Sequence, residues 1–160
     1  AKQVIEYYED RANWRRTPTQ IGKFEQIYIK GVGRIVANFD TGNSAKCSLH
    51  AEKFEVKGKK VHWEENGQKF KHDLVKMVKF ERGGVNAQDF ERPMIHFSVS
   101  FNGNDYEEAE FILDDRTRKT TKCLMNQRFM KRANVMVNPA RNFIVTDNIE
   151  TKELHDFDEK

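Results

Sequence analysis

Ile35-Val36-Ala37-Asn38-Phe39-Asp40-Thr41-Gly42 is the stretch that decides how this chain is read. A largely apolar run stops abruptly at an acid, a hydroxyl residue and a glycine. The first part has the composition of a strand, and the second that of a tight loop. A carboxylate placed there stands at the end of a rigid element, beside a glycine that permits sharp turning and close backbone approach. The triplet occurs once in the 160 residues. Alone it decides little, because Asp followed by Ser or Thr and then Gly arises by chance in roughly one of ten chains this long, mostly as ordinary turns.

Its surroundings give it weight. Upstream, Gln26-Ile27-Tyr28-Ile29-Lys30 alternates polar and apolar residues, Gly31-Val32-Gly33 marks a turn, and the run from Arg34 to Phe39 follows. This predicts a β-hairpin that delivers Asp40. Downstream, Lys57-Gly58-Lys59-Lys60 reads as a turn between strands, and Glu65-Asn66-Gly67-Gln68 as a tight hairpin turn, with Lys69 to Val78 as one further strand region. Met94 to Phe101 alternates, Asn102-Gly103-Asn104 turns, and Tyr106 to Leu113 returns. Cys123-Leu124-Met125 reads as a short buried strand and Gln127 to Ala133 as a helix; Val135-Met136-Val137 and Phe143-Ile144-Val145 are expected to complete the sheet.

Several separated pieces of the chain together resemble one family. Ile21-Gly22-Lys23, Asp40-Thr41-Gly42 and Cys47-Ser48-Leu49-His50-Ala51 are followed by Asp115-Arg116-Thr117, Leu124-Met125-Asn126-Gln127-Arg128 and Val137-Asn138-Pro139-Ala140-Arg141-Asn142-Phe143. In that order they resemble the retropepsin-like aspartic peptidase family often labelled "ATP-dependent zinc protease". The resemblance runs from about Ile21 to Val145. It implies a mostly β, single retropepsin-like domain, a closed β-barrel equal to half of an acid protease, with a short helix near its C-terminal end. It also implies a homodimer, with one Asp40 from each subunit forming the catalytic pair. Thr41 would hold the two loops together across the axis, and Gly42 would let them approach. Asn126 stands where the family has a glycine that supports this loop; asparagine is the least costly substitute if a left-handed backbone is needed there. The piece Asn43-Ser44-Ala45-Lys46 is about one residue longer than the commoner form.

The implied chemistry is hydrolysis of an extended peptide by water, with no cofactor. Zinc finds no support in the spacing, because His50, His62, His72, His96 and His155 form neither a His-Glu-x-x-His nor a Cys-x-x-Cys pattern. No phosphate-binding glycine loop accounts for ATP. Cys47 and His50 are near in sequence but lack a third orienting group, which argues against a Cys-His enzyme. Two loops are candidates for a flap over the substrate, one around Lys57-Gly58-Lys59-Lys60 and one from Phe80 to Phe90.

Composition fits one compact domain, at 160 residues and 38% apolar, and twelve Phe with many β-branched residues favour strands. Two cysteines, Cys47 and Cys123, are too few for a disulfide framework and read as buried thiols. Neither a run long enough to span a membrane nor a charged-then-apolar leader is visible, so the expected location is cytoplasmic or within a soluble assembly. The expected division is an N-terminal extension over 1–20, the domain over 21–145 and an acidic tail over 146–160. In the extension Val4, Ile5, Tyr7, Tyr8 and Trp14 recur at spacings of three, four and seven, the pattern of an amphipathic helix that packs on its own domain or docks on another chain. The tail is net −4, which leaves +7 on the rest. That charge has no aromatic-and-basic stripe to suit nucleic acid, and the lysines near Gly58 read as solvation of a hairpin edge. The alternative to a peptidase is a non-catalytic structural or interaction module of the same fold, held in a larger assembly through its termini.

Overall fold

The computed structural model describes residues 17–43, 46–80 and 89–147. The helix expected in the extension lies, up to residue 16, outside the described residues, as do 81–88 of one candidate flap and 148–160 of the tail.

The hairpin that delivers Asp40 is formed by β2 (Phe24–Ile29) and β3 (Gly33–Phe39), paired antiparallel from Phe24↔Asn38 to Ile29↔Gly33. The chain continues through β4 (Cys47–His50), β5 (Lys53–Lys57), β6 (Lys60–Glu65), β7 (Gln68–Asp73) and β8 (Lys76–Phe80). Two long strands follow, β9 (Phe90–Phe101) and β10 (Asn104–Asp114), then β11 (Cys123–Met125), the helix α1 (Gln127–Ala133) and β12 (Val135–Asn138). The first strand, β1 (Thr19–Gly22), pairs parallel with β12 in a separate two-stranded sheet.

Six strands close on themselves in the order β10-β4-β11-β3-β2-β9, with β9 and β10 paired to complete the ring and β8 added outside β9. This is the mostly-strand closed barrel that the sequence implies. Closure removes sheet edges and leaves alternate residues to fill the interior. On β9, Ile95, Phe97, Val99 and Phe101 all point into the core and are nearly inaccessible. Phe39 reaches the same core, its ring 5.1 Å from that of Phe101 and 6.4 Å from Phe129 of the helix. The three-stranded sheet β5-β6-β7 packs onto this core through Val61 and Trp63, with Trp63 stacked at 4.2 Å on Phe70 and edge-on to Phe97.

Three local expectations need correcting. Val135-Met136-Val137 does not complete the main sheet, because as β12 it pairs with β1 alone. Lys69 to Val78 is two strands in different sheets, because β7 pairs with β6 whereas β8 pairs with β9. The switch takes two residues: Leu74 N–H donates to Lys59 O at 2.8 Å and Val75 N–H to Met94 O at 2.9 Å. Phe143-Ile144-Val145 is no strand either. It belongs to a strap that crosses β2 and is held by the buried carboxylate of Glu25, which accepts from Ile144 N at 2.9 Å, Val145 N at 3.4 Å and Thr146 N at 3.1 Å. Gly22 N and the Thr146 hydroxyl complete the set at 2.6 and 2.7 Å. The strap passes so close to Gly22 that a Cβ there would sit 2.8 Å from Asn142 Cα and Phe143 N, contacts that only glycine avoids. Ile21-Gly22-Lys23 and the Asn-Pro-Ala-Arg-Asn-Phe segment are therefore two sides of one contact, with Lys23 N donating to Arg141 O and Phe143 N to Phe24 O, each at 2.8 Å.

Lys57-Gly58-Lys59-Lys60 forms the tip of the β5–β6 hairpin. No helix among the described residues is long and apolar enough to cross a membrane.

Candidate active site

Asp40 follows β3 directly, and the barrel fixes its backbone from both sides. Phe39 N–H donates to Lys23 O at 2.8 Å, and Asp40 N–H donates to Met125 O at 3.0 Å, which extends the parallel pairing of β3 with β11. That pairing exists because β11 is inserted between β3 and β4, parallel to one and antiparallel to the other. A carboxylate is thus carried on a loop that opens from a strand paired along both edges, with β2 and with β11, the arrangement in which a rigid scaffold aims a reactive group.

The loop folds back on the acid. Gly42 N–H donates to Asp40 Oδ1 at 2.9 Å and Asn43 N–H to Asp40 O at 3.2 Å. A Cβ on residue 42 would lie 3.3 Å from Asp40 Oδ1, so a side chain at this point would crowd the carboxylate. Thr41 and Gly42 are exposed, while Asp40 is half-buried. The far side of the loop is tied to the helix, because Gln127 N–H donates to Asn43 O at 2.9 Å and the Gln127 side-chain amide donates to Thr41 O.

Asn126 lies between the strand and that helix, and it does not use the left-handed conformation considered for it. Its backbone is extended, with φ −97° and ψ 178°, and its side chain is buried as the N-cap of α1. The side-chain oxygen accepts from Phe129 N at 3.1 Å and from the Cys47 thiol at 3.4 Å. Polar caps of this kind satisfy an orphan amide of the first helical turn. Cys47 is buried with it, and burial pushes its pKa up to about 12 despite the bond to Asn126. A thiol held in that state is no nucleophile. Asp40, Thr41, Gly42 and Asn126 are thus brought together at one junction of β3, β11 and α1.

Arg116 escaped the sequence reading as a site residue, although Asp115-Arg116-Thr117 was part of the resemblance. It is 7% exposed, and its Nε donates to Thr121 O at 3.0 Å. Burial lowers its pKa from the ordinary arginine value, while the neighbouring Cys123, Asp114 and Asp40 act to raise it. A buried cation therefore stands within electrostatic reach of Asp40. Only the turn motif in the sequence could have pointed to it.

Zinc fits poorly. Among the described residues, His50, Glu52 and Glu65 form the one cluster of three His, Cys or acidic residues close enough for a shared ion, their candidate ligand atoms lying within 4.8 Å of one another. Yet His50 Nδ1 accepts a hydrogen bond from Arg116 N–H at 2.9 Å. In a neutral imidazole the other nitrogen then carries the proton and donates, which leaves no lone pair for a metal. The acids are engaged as well: Lys122 Nζ lies 2.9 Å from Glu65 Oε1, and Asn66 N–H donates to Glu52 Oε1 at 3.1 Å.

Comparison with known proteins accords with this geometry. Residues 20–148 match the model of the RimB-like family, described as retropepsin-like aspartic endopeptidase RimB. Among solved structures, the fold is similar to a Legionella pneumophila protein with unknown function (DUF785), at 20% identity and a TM-score of 0.65, over 80% of this chain and 98% of that one. No curated protein matches the chain. With the family model spanning the barrel, the Asp-Thr-Gly loop and the strap, the chain belongs to the RimB-like family of retropepsin-like aspartic endopeptidases.

Proposed function

We propose that this protein is an aspartic endopeptidase that works as a homodimer, each subunit contributing Asp40. The observation that carries the reading is the loop itself: a half-buried Asp40 fixed at its backbone by Met125 O, with its carboxylate held by Gly42 N–H and one such acid in each chain. Two of these carboxylates facing each other across a two-fold axis at about 3 Å cannot both be ionised, so the pair shares one proton and titrates as a unit. The ionised member takes a proton from a water held between them, while the protonated member donates to the scissile carbonyl oxygen. No covalent intermediate forms. The exposure of Thr41 beside Asp40 supports a role in meeting the same loop of a second subunit. The substrate is a peptide or protein segment bound extended, through backbone pairing of the strand-addition kind.

The inward-turned Asn126 supports this reading, because it braces the helix end that holds Thr41 and Asn43 without obstructing the exposed face of the loop. The test is cleavage of a diverse peptide library from pH 4 to 7 by the wild type and by Asp40→Asn, with solution mass measured in the same buffers. Cleavage by a dimer that Asp40→Asn abolishes is the expected result. A folded protein that cleaves nothing would leave the domain as a non-catalytic interaction module.

A further inference from the structure

Beside the Asp-Thr-Gly loop the surface opens into a groove of about 900 Å³ between α1 and β12. Its apolar lining comes from Met130, Val135, Met136 and Val137, and Met136 is 54% exposed, the most open of the large apolar side chains described. An open apolar lining of this kind can receive an apolar segment. Thr41 lines one part of the groove and Pro18 another.

We propose that residues 1–16 of the same chain seat in this groove. Three observations select that occupant. The segment joins the described fold at Thr17, one residue from a groove wall, so a tether of minimal length holds it there at high effective concentration. Val4, Ile5, Tyr7 and Tyr8 repeat at three and four residues, the anchor spacing of a helix laid into an apolar groove. Glu6 sits between those anchors, and Glu9 and Asp10 just after them, so that this stretch offers acids to the groove's charged lining, Lys131 and Arg132, while Lys2, Arg11, Arg15 and Arg16 lie to either side of it.

Because Thr41 belongs to the same lining, a segment seated there covers ground that a second subunit must approach to bring the two Asp40 loops together. The segment and a second copy therefore compete. This clause alone rests on the homodimer reading. If the segment is docked nine-tenths of the time, each subunit is competent about a tenth of the time and dimerisation weakens about a hundredfold.

The two native cysteines are buried, so engineered ones on the surface react separately. In the full chain, Val4→Cys, Ile5→Cys, Tyr7→Cys and Tyr8→Cys are each combined with Met136→Cys and mildly oxidised over a wide dilution range. The expected result is an intrachain disulfide at one or two of the four positions, with a yield independent of protein concentration. Disulfides formed only between chains, with yields that fall on dilution, would overturn the proposal and give the groove to a second copy. No disulfide at any position would overturn it too. Competition is read separately, by sedimentation of Ile5→Asp and Tyr8→Asp, whose dimers are expected to be at least tenfold tighter than the wild type's. An unchanged dimer affinity overturns the competition, and absence of any dimer removes it together with the peptidase reading, while the disulfide result still decides the docking.

Discussion

Replacing Glu25 tests whether the strap is held as described. Its two oxygens accept four backbone amides and one hydroxyl, from Gly22, Ile144, Val145 and Thr146, and the residue is completely buried. Glu25→Ala removes every acceptor. Each amide left buried and unpaired costs about 1–3 kcal/mol, but the strap has an escape, since it can lift from β2 and let water satisfy its amides. Lifting sacrifices the contact of Phe143 with Phe24 and Val36. The net loss therefore falls well short of four such penalties, at about 2–5 kcal/mol, against a total stability of about 5–15 kcal/mol for a domain of this kind. Glu25→Gln keeps one acceptor oxygen and turns an NH₂ toward donors, which costs about 1–3 kcal/mol. Urea unfolding measures both losses, and hydrogen exchange at Gly22, Ile144, Val145 and Thr146 locates them. If both variants stay within about 0.5 kcal/mol of the wild type and those amides remain protected, the carboxylate is not what holds the strap.

Asn126→Ala, which removes the cap of α1, is expected to lower stability by about 0.5–2 kcal/mol, and Asn126→Asp to recover most of it; an alanine variant that melts with the wild type would contradict the capping role. Cys47, with its pKa pushed to about 12 by burial, has about one thiol in ten thousand ionised at pH 8, so it should resist alkylation in the native protein and react once unfolded. Rapid labelling of folded protein would refute this. The Glu110 carboxyl stands below its ordinary value, since Lys46 at 3.1 Å and Arg128 at 2.6 Å, with a smaller contribution from His96, outweigh the raising effect of burial. A depressed carboxyl binds fewer protons folded than unfolded, so its contribution is present above about pH 4.3 and is lost as pH falls through the folded value. Glu110→Gln should therefore lower neutral-pH stability, by no more than about 1 kcal/mol after solvent screening, and converge with the wild type in acid; a pH-independent difference would refute the charge account.

What the sequence made legible follows from how local its causes are. Asn66-Gly67 and Asn102-Gly103 were readable because both residues of each pair adopt positive φ, at 49° and 79° and at 50° and 83°, which this dipeptide permits. The helix from Gln127 to Ala133 was readable from spacing alone. Glu25 was not, because in an alternating strand it looks like any polar residue, and its partners lie about 120 positions away. The break at Leu74 was hidden for the same reason: consecutive amides answer to carbonyls far apart in sequence, Lys59 in the β5–β6 turn and Met94 on β9. At Asn126 the substitution suggested backbone conformation, whereas the structure uses the side chain, and the deciding partner is Cys47 on another strand. Of the acid loop, the position of Asp40 after a strand was legible; the buried Arg116 within its electrostatic reach was not.

The strand that supplies Met125 also sets when the site can exist. β3 and β4 leave the ribosome about seventy residues before β11, which must enter between them. At 5–20 residues per second the nascent chain must keep that slot vacant for roughly 4–14 seconds. Until then the Asp40 amide has no carbonyl to meet, and the loop is without its anchor. A chain still in synthesis accordingly carries the acid without the geometry that holds it, which arrives only when the barrel is finished.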